Sequence, residues 1–183
     1  MKSYVVVEGA FDAALVSTVI ERFLPEQEIV VTEAGGKSSV VSLARSLLLT
    51  RKCPVILAVD ADTVDQQAIN EHTQDLKALL GMTADPSLWK VVLFVPAIEV
   101  TILQDMQFAE TLFNGKLTPV QRALIPYDPK RVLRELTREY WSTENGSDVI
   151  RRLSDLDLTP LKEAPAIREI LDFLAAVRHR QAA

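Results

Sequence analysis

Short apolar runs alternate with amphipathic segments through the first hundred residues of this 183-residue chain. Four of the runs are rich in β-branched residues and predict buried strands at residues 4–7, 29–31, 55–59 and 91–95. Between them, apolar positions recur at spacings of three and four residues, which is typical of helices. The pattern predicts helices over residues 11–24, from Ser38 or Ser39 as N-cap to just before Lys52, and from Thr63 to about Leu80.

This order of elements predicts the class of fold. Strands that are apolar throughout are expected where helices cover both faces of a sheet, and strand–helix alternation gives parallel strands. We therefore expect an α/β, Rossmann-like fold with about four parallel strands and helices on both faces. After residue 99 the strand signals end, and prolines separate helix-length pieces, of which residues 131–140 and 167–178 are the clearest. This indicates an α/β domain over residues 1–104 and a helical C-terminal extension over residues 105–183, packed on or beside it.

Composition restricts the cellular compartments in which the protein is expected. Hydrophobic residues make up 48% of the chain, but no apolar run approaches the roughly 20 residues that a membrane span needs. The first residues lead directly into a strand and lack the pattern of a signal peptide. The single cysteine, Cys53, has no partner within the chain for a disulfide, which fits a reducing compartment. We expect a cytoplasmic protein with no membrane partner.

Charge is distributed unevenly along the chain. The formal net charge of −5 speaks against a protein that coats nucleic acid through bulk electrostatics. Residues 1–110 carry 8 Lys and Arg against 15 Asp and Glu, whereas residues 111–183 carry 12 against 10. The functional question is therefore where the carboxylates of the first segment fall.

Several of these carboxylates follow predicted strands. Glu8 comes directly after the first strand, and Asp60 comes directly after the third, with Asp62 two residues later. Ligands of open parallel sheets bind outside the carboxyl ends of the strands, where these residues lie. Side chains at i and i+2 of an extended segment point the same way, so Asp60 and Asp62 are expected to converge on one cation.

Two further carboxylates belong to the same predicted edge. Asp12 lies one turn after Glu8, and Glu99 follows the fourth strand by a few residues. Clustered carboxylates raise each other's pKa values unless a cation neutralises them. Oxygen ligands alone suit Mg²⁺ or Mn²⁺ better than zinc. Each residue also has a plainer interpretation: Glu8 as a helix cap, and Asp12 and Glu99 as first-turn charges that complement a helix dipole.

The motifs at these positions resemble those of the Toprim domain over roughly residues 3–100. Residues 7–9, Val-Glu-Gly, and residues 59–62, Val-Asp-Ala-Asp, are similar to its glutamate and Asp-x-Asp motifs. Residues 8–12, Glu-Gly-Ala-Phe-Asp, and residues 35–38, Gly-Gly-Lys-Ser, resemble segments of the OLD-like (overcoming lysogenization defect) nuclease branch. Residues 96–99, Pro-Ala-Ile-Glu, resemble the acidic segment that those proteins carry after their fourth strand.

The resemblance implies a Mg²⁺- or Mn²⁺-dependent nuclease that cleaves phosphodiester bonds in DNA or RNA. It implies catalytic roles for Glu8, as general acid or base, for Asp60, and for Lys37, which would neutralise charge on the phosphate. The metal ligands that it implies are Glu8, Asp12, Asp60, Asp62 and Glu99. For Lys37, a solvated turn lysine is the plainer interpretation.

The chain also departs from the family pattern. Topoisomerases and primases of this family usually carry a glycine three residues after Asp-x-Asp, where this chain has Asp65, which is more typical of a helix start. The glycine segment at residues 35–38 lacks the spacing of a P-loop. The prediction is a stand-alone Toprim unit without an ATPase domain.

The candidate surface for nucleic acid combines Lys37 with basic residues spaced at three and four positions: Lys130, Arg131, Arg134 and Arg138, extended by Arg151 and Arg152. A solvated helix face explains this spacing equally well. The alternative function is a non-catalytic Toprim module that binds nucleic acid or protein in DNA repair or phage defence; phosphoryl transfer on a small nucleotide is a weaker third. A homodimer through the apolar face of residues 167–177, or a separate partner protein, is compatible with either main interpretation.

Overall fold

The computed structural model describes residues 2–141 and 146–182. Its centre is one sheet of four parallel strands in the order β2-β1-β3-β4. The strands are β1 (Ser3–Val7), β2 (Ile29–Glu33), β3 (Val55–Asp60) and β4 (Trp89–Phe94). The structure confirms the predicted α/β class and the four parallel strands, and the arrangement is consistent with a Rossmann-like fold.

Helices connect the strands and make up most of the described residues after β4. The connecting helices are α1 (Ala10–Phe23), α2 (Lys37–Arg51) and α3 (Gln66–Gly81). Among the residues that the structure describes after β4, the helices are α4 (Val100–Leu103), α5 (Met106–Phe113), α6 (Pro119–Leu124), α7 (Pro129–Trp141), α8 (Ser147–Leu153), α9 (Thr159–Lys162) and α10 (Pro165–Ala182). In the part of the chain that the structure describes, none of these helices has the length and apolar character to span a bilayer.

The two faces of the sheet are buried in two separate hydrophobic clusters. Along β1, Val5 and Val7 belong to one cluster and Val6 to the other, as the alternation of side chains in a strand requires. The first cluster contains apolar residues of α1 and of the C-terminal helices, and the second contains residues of α2 and α3. The continuous apolar runs of the sequence are thus explained by helices on both faces.

The boundaries of several predicted elements need correction, among them those of α2, α3 and β4. The helix predicted from an N-cap at Ser38 or Ser39 begins earlier, at Lys37, because Gly36 adopts φ +124° and turns the chain directly into α2. The helix predicted from Thr63 begins later, at Gln66, because the side chain of Asp65 accepts a hydrogen bond from Ala68 N and caps it. Strand β4 starts two residues before the prediction.

The apolar face of residues 167–177, which the sequence analysis considered as a possible dimer surface, is buried within the chain. Ile167, Ile170, Leu171, Leu174 and Val177 are all buried, with at most 7% of each residue exposed. This face of α10 packs inside the same chain, where α10 contacts β4 and α1. The hydrophobic periodicity therefore reports the core of the protein itself.

Candidate functional site

The parallel pairing of β1 with β3 brings the first two predicted site residues together. Glu8 follows the last residue of β1, and Asp60 is the last residue of β3, so both lie at the carboxyl edge of the sheet. Glu8 Oε1 accepts a hydrogen bond from the backbone N–H of Asp60 at 3.2 Å. The glutamate is therefore held against the neighbouring strand end, as the predicted order of elements implies.

Asp12 lies in the first turn of α1, on the same side. Its Oδ2 accepts a hydrogen bond from Gly9 N at 3.1 Å, so it caps the helix that β1 leads into. The pKa of Asp12 is raised to about 6, chiefly by burial and then by the negative charges of Asp60 and Glu8, against the opposing effects of the Gly9 hydrogen bond and Lys130. Asp12 therefore lies at a helix start, as both of its interpretations require, and it interacts electrostatically with Glu8 and Asp60.

Asp60 is the most buried of the five carboxylates, with 5% of the residue exposed. Its Oδ1 accepts a hydrogen bond from Ile98 N at 2.9 Å, which ties the loop after β4 to the end of β3. Its Oδ2 lies 2.7 Å from Lys130 Nζ. A buried carboxylate requires such partners, because its ionised form is costly to remove from water.

The predicted geometry of Asp62 is wrong in one respect. Its φ of +52° is left-handed, so residues 60–62 are not one extended segment. The backbone N–H of Asp62 instead donates to Pro96 O at 2.8 Å, which fixes the turn. Its carboxylate pairs with Lys37 and lies 3.3 Å from Lys130 Nζ. Asp60 and Asp62 do converge on one cation, but that cation is an ammonium group of the chain itself.

Glu99 immediately precedes α4 and is strongly affected by burial. Its Oε2 atom is fully buried and has no hydrogen-bond partner, and its side chain makes no capping bond to the helix. The pKa of Glu99 is raised to about 7, chiefly by burial; the charges of Asp60 and Asp12 also raise it, and a backbone hydrogen bond and Lys130 oppose the rise. A carboxyl oxygen in this condition is a candidate for binding a cation or a hydrogen-bond donor.

Lys130 is the residue whose position the sequence did not predict. It lies in the first turn of α7, in the predicted helical extension, yet its ammonium group reaches the carboxylates. Burial lowers its pKa, but the hydrogen bond to Asp60 and the charges of Asp60, Glu99 and Asp12 outweigh burial and raise it overall. The structure thus places this predicted nucleic-acid residue inside the carboxylate cluster.

Lys37 approaches the cluster from a glycine turn. Gly35 and Gly36 have φ values of +76° and +124°, which side chains disfavour. Gly36 N donates to Glu8 O at 2.9 Å, so the turn lies against the end of β1. Lys37 then starts α2 and pairs with Asp62. The glycine turn agrees with the prediction, whereas Lys37, predicted within the turn, is the first residue of α2.

The predicted basic stripe on α7 divides in the structure. Arg134, one turn after Lys130, lines a cavity of about 230 Å³ that also includes Glu99 and Phe11. Arg131 instead pairs with Glu135, with 2.8 Å between Nε and Oε1. Arg138 is exposed on the same helix. Lys130 and Arg134 are thus the basic residues of α7 that adjoin the carboxylates.

Arg151 and Arg152, the predicted extension of the stripe, lie on α8 rather than α7. Arg151 pairs with Asp148, with 2.7 Å between Nη2 and Oδ1. Arg152 carries a buried Nε without a partner. Neither arginine lines the cavity beside Glu99.

The donor atoms of this cluster are of the type that a hard divalent cation prefers. Glu8, Asp12, Asp60, Asp62 and Glu99 supply oxygen donors, and Glu99 Oε2 has no other partner. Across residues 2–141 and 146–182, no group of three or more His, Cys, Asp or Glu is arranged to hold a metal ion. The ammonium groups of Lys130 and Lys37 instead hold the two aspartates of the Asp-x-Asp motif. A hard cation would bind by replacing those ion pairs.

Comparison with models of protein families, with curated protein sequences and with solved structures found no match to this chain. The resemblance to the Toprim domain therefore rests on the motif residues themselves.

Proposed function

We propose that this protein is a Mg²⁺- or Mn²⁺-dependent nuclease of Toprim type that hydrolyses phosphodiester bonds in DNA or RNA. The observation that carries this proposal is the convergence of carboxylates from the ends of β1 and β3 and the starts of α1 and α4, with two lysines among them. Carboxylates with raised pKa values near strand ends are typical of functional sites.

Each residue has a role that follows from its position. Asp60 and Asp62, with Glu8, Asp12 and Glu99 beside them, would hold the metal, which when bound supplies an activated water and stabilises the leaving oxygen. Glu8 is the general acid or base, and its hydrogen bond to Asp60 N orients it. Lys37 faces the cluster from a glycine turn that admits close backbone approach, and it neutralises charge on the phosphate.

The neighbouring cavity supports a polyanionic substrate. It lies beside the carboxylates, and its lining includes Lys130 and Arg134 on one helix face. Positive side chains beside a metal site position a phosphate backbone without reading its sequence. We therefore expect binding to weaken steeply with salt.

The experiment is a cleavage assay on plasmid DNA and on single-stranded DNA and RNA oligonucleotides, with Mg²⁺, with Mn²⁺ and with EDTA. We expect divalent-dependent cleavage that falls by on the order of 100-fold or more in Asp60→Ala and Glu8→Ala. The matched control is Asp65→Asn, since Asp65 caps α3 and lies outside the cluster. Absence of cleavage with either metal, or equal cleavage by Asp60→Ala purified in the same way, would remove the proposal.

One observation favours a second candidate, a non-catalytic nucleic-acid- or protein-binding module. Lys130 and Lys37 already neutralise Asp60 and Asp62, so these two carboxylates are compensated within the chain. In that case the wild-type protein binds oligonucleotides but cleaves none, and Asp60→Ala changes binding or stability alone. A cleavage rate that responds to Asp60→Ala contradicts this candidate.

A further inference from the structure

The ammonium group of Lys130 lies between the two aspartates of the Asp-x-Asp motif. Its Nζ is 2.7 Å from Asp60 Oδ2 and 3.3 Å from Asp62 Oδ1. We propose that Lys130 is a built-in, displaceable counter-ion: it occupies the cation position of this motif, and a divalent metal must displace it to bind. The inference deepens the proposed function, because it concerns the metal site on which that function rests.

Burial explains why a counter-ion is needed. The side chain of Asp60 is 7% exposed, and a buried carboxylate without a nearby positive charge destabilises the folded protein. The hydrogen bond from Ile98 N serves only Oδ1, which leaves Oδ2 to Lys130. When no divalent ion is bound, Lys130 therefore supplies the positive charge that this carboxylate requires.

The position of Lys130 also allows its ammonium group to move away from the aspartates. Its side chain is 44% exposed, and it lines the cavity that continues towards Arg134 and Thr137. The long aliphatic stem of a lysine lets the ammonium move several ångströms while the helix stays in place. A divalent ion on Asp60 and Asp62 would repel the ammonium at such short range, so the two cations exclude each other.

The exclusion has a measurable consequence. Metal binding must break the ion pairs between Lys130 and the two aspartates. The free energy needed to break them weakens the net affinity for the metal. By reciprocity, removing Lys130 should strengthen metal binding, and adding metal should free Lys130. An ion pair that metal binding leaves intact would not release Lys130, and its removal would strengthen metal binding no more than the loss of another nearby positive charge.

The test combines two measurements on wild-type protein, Lys130→Met and Arg134→Met. Mn²⁺ affinity is measured by titration calorimetry, and thermal unfolding is followed in EDTA and in saturating Mg²⁺. We expect Lys130→Met to bind Mn²⁺ on the order of 10-fold more tightly, to unfold at a lower temperature than wild type in EDTA, and to approach wild type in Mg²⁺. Arg134→Met removes one positive charge next along the cavity without touching an aspartate, so it controls for general electrostatics.

A third measurement needs only wild-type protein, in case Lys130→Met does not fold. Acetylation of individual lysines by an amine-reactive reagent is quantified by mass spectrometry with and without Mg²⁺. Labelling of Lys130 should rise several-fold with Mg²⁺, while that of exposed Lys77 on α3 should stay constant. Constant labelling of Lys130 at a Mg²⁺ concentration that saturates the protein would overturn the inference.

The outcomes separate this inference from the proposed function. If wild type binds Mn²⁺ but Lys130→Met binds it no more tightly, Lys130 is not a competitor and the metal site stands. If Lys130→Met loses the same stability in EDTA and in Mg²⁺, the ion pair is structural and the inference is overturned. If neither protein binds Mn²⁺, the carboxylate cluster is not a metal site, and the inference and the proposed function both fail.

Discussion

The substitution Glu99→Gln should stabilise the protein at alkaline pH when divalent ions are removed. Glu99 is the residue on which burial acts most clearly: its Oε2 is buried without a partner, and its pKa is raised from 4.5 to about 7. Glutamine has the shape of the protonated glutamic acid and cannot ionise. The variant therefore isolates the cost of ionising this one side chain inside the fold.

The sign and size follow from the difference in pKa between the folded and unfolded chains. Because the folded state holds the Glu99 proton more tightly, this residue contributes stability below about pH 4.5 and loses that contribution as pH rises through about 7. The difference in pKa corresponds to on the order of 3 kcal/mol. We expect Glu99→Gln and wild type to be similar at pH 4 to 5, and the variant to be more stable by that amount at about pH 8.5.

The assay is urea unfolding followed by far-UV circular dichroism, in EDTA, at several pH values between those limits. The same substitution at Glu21, which is exposed on α1, controls for the loss of one negative charge. A stability difference for Glu99→Gln that does not change with pH, or a wild type that is more stable at alkaline pH, would refute the reasoning. If Glu99 is a metal ligand, saturating Mg²⁺ should reduce or reverse the advantage of the variant.

Two further predictions test the fold around the site. Gly36→Ala should destabilise the protein by about 1–3 kcal/mol, because a side chain at φ +124° is strained. Gly81→Ala, at the end of α3, should instead stabilise it by up to about 1 kcal/mol, because the new methyl group would lie 3.6 Å from Trp89 without a clash. Urea unfolding of both variants checks these opposite signs. Leu174→Ala should cost about 2–5 kcal/mol without changing the mass measured by light scattering, since Leu174 is 1% exposed in the chain's own core, and Leu49→Ala, at a residue 59% exposed, should cost less than about 0.5 kcal/mol.

The strands and the sheet edge at which the carboxylates gather could be predicted because their signals are local. The apolar runs of β1 and β3 are long enough to identify buried parallel strands, and parallel pairing then places Glu8 and Asp60 side by side. Asp12 lies one turn after Glu8, and Glu99 follows the end of β4 by a few residues, so the same rule places them at this edge. These predictions need only chain order and the geometry of a parallel sheet.

The features that the sequence did not reveal depend on contacts between distant parts of the chain or on single backbone angles. Lys130 is 70 residues after Asp60 along the sequence, and it reaches the cluster because α7 packs against α4, beside Glu99. Helical spacing alone groups it with Arg131 and Arg138. The left-handed φ of Asp62 depends on the hydrogen bond from its amide to Pro96 O, which no local pattern reveals. The early start of α2 likewise depends on one glycine angle.

The uneven compensation of the carboxylates bears on the choice between the two candidate functions. Asp60 and Asp62 each contact an ammonium group, whereas Glu99 keeps a buried oxygen without a hydrogen-bond partner. The lysines thus neutralise the charges of Asp60 and Asp62. The buried carboxyl of Glu99 has no such partner and is accommodated most easily when it is protonated. A divalent ion bound near Asp60 would lower the pKa values of Asp12 and Glu99, which are raised to about 6 and about 7. Metal binding near neutral pH should therefore release protons from Asp12 and Glu99. A cluster that binds no metal would show no proton release when Mg²⁺ is added.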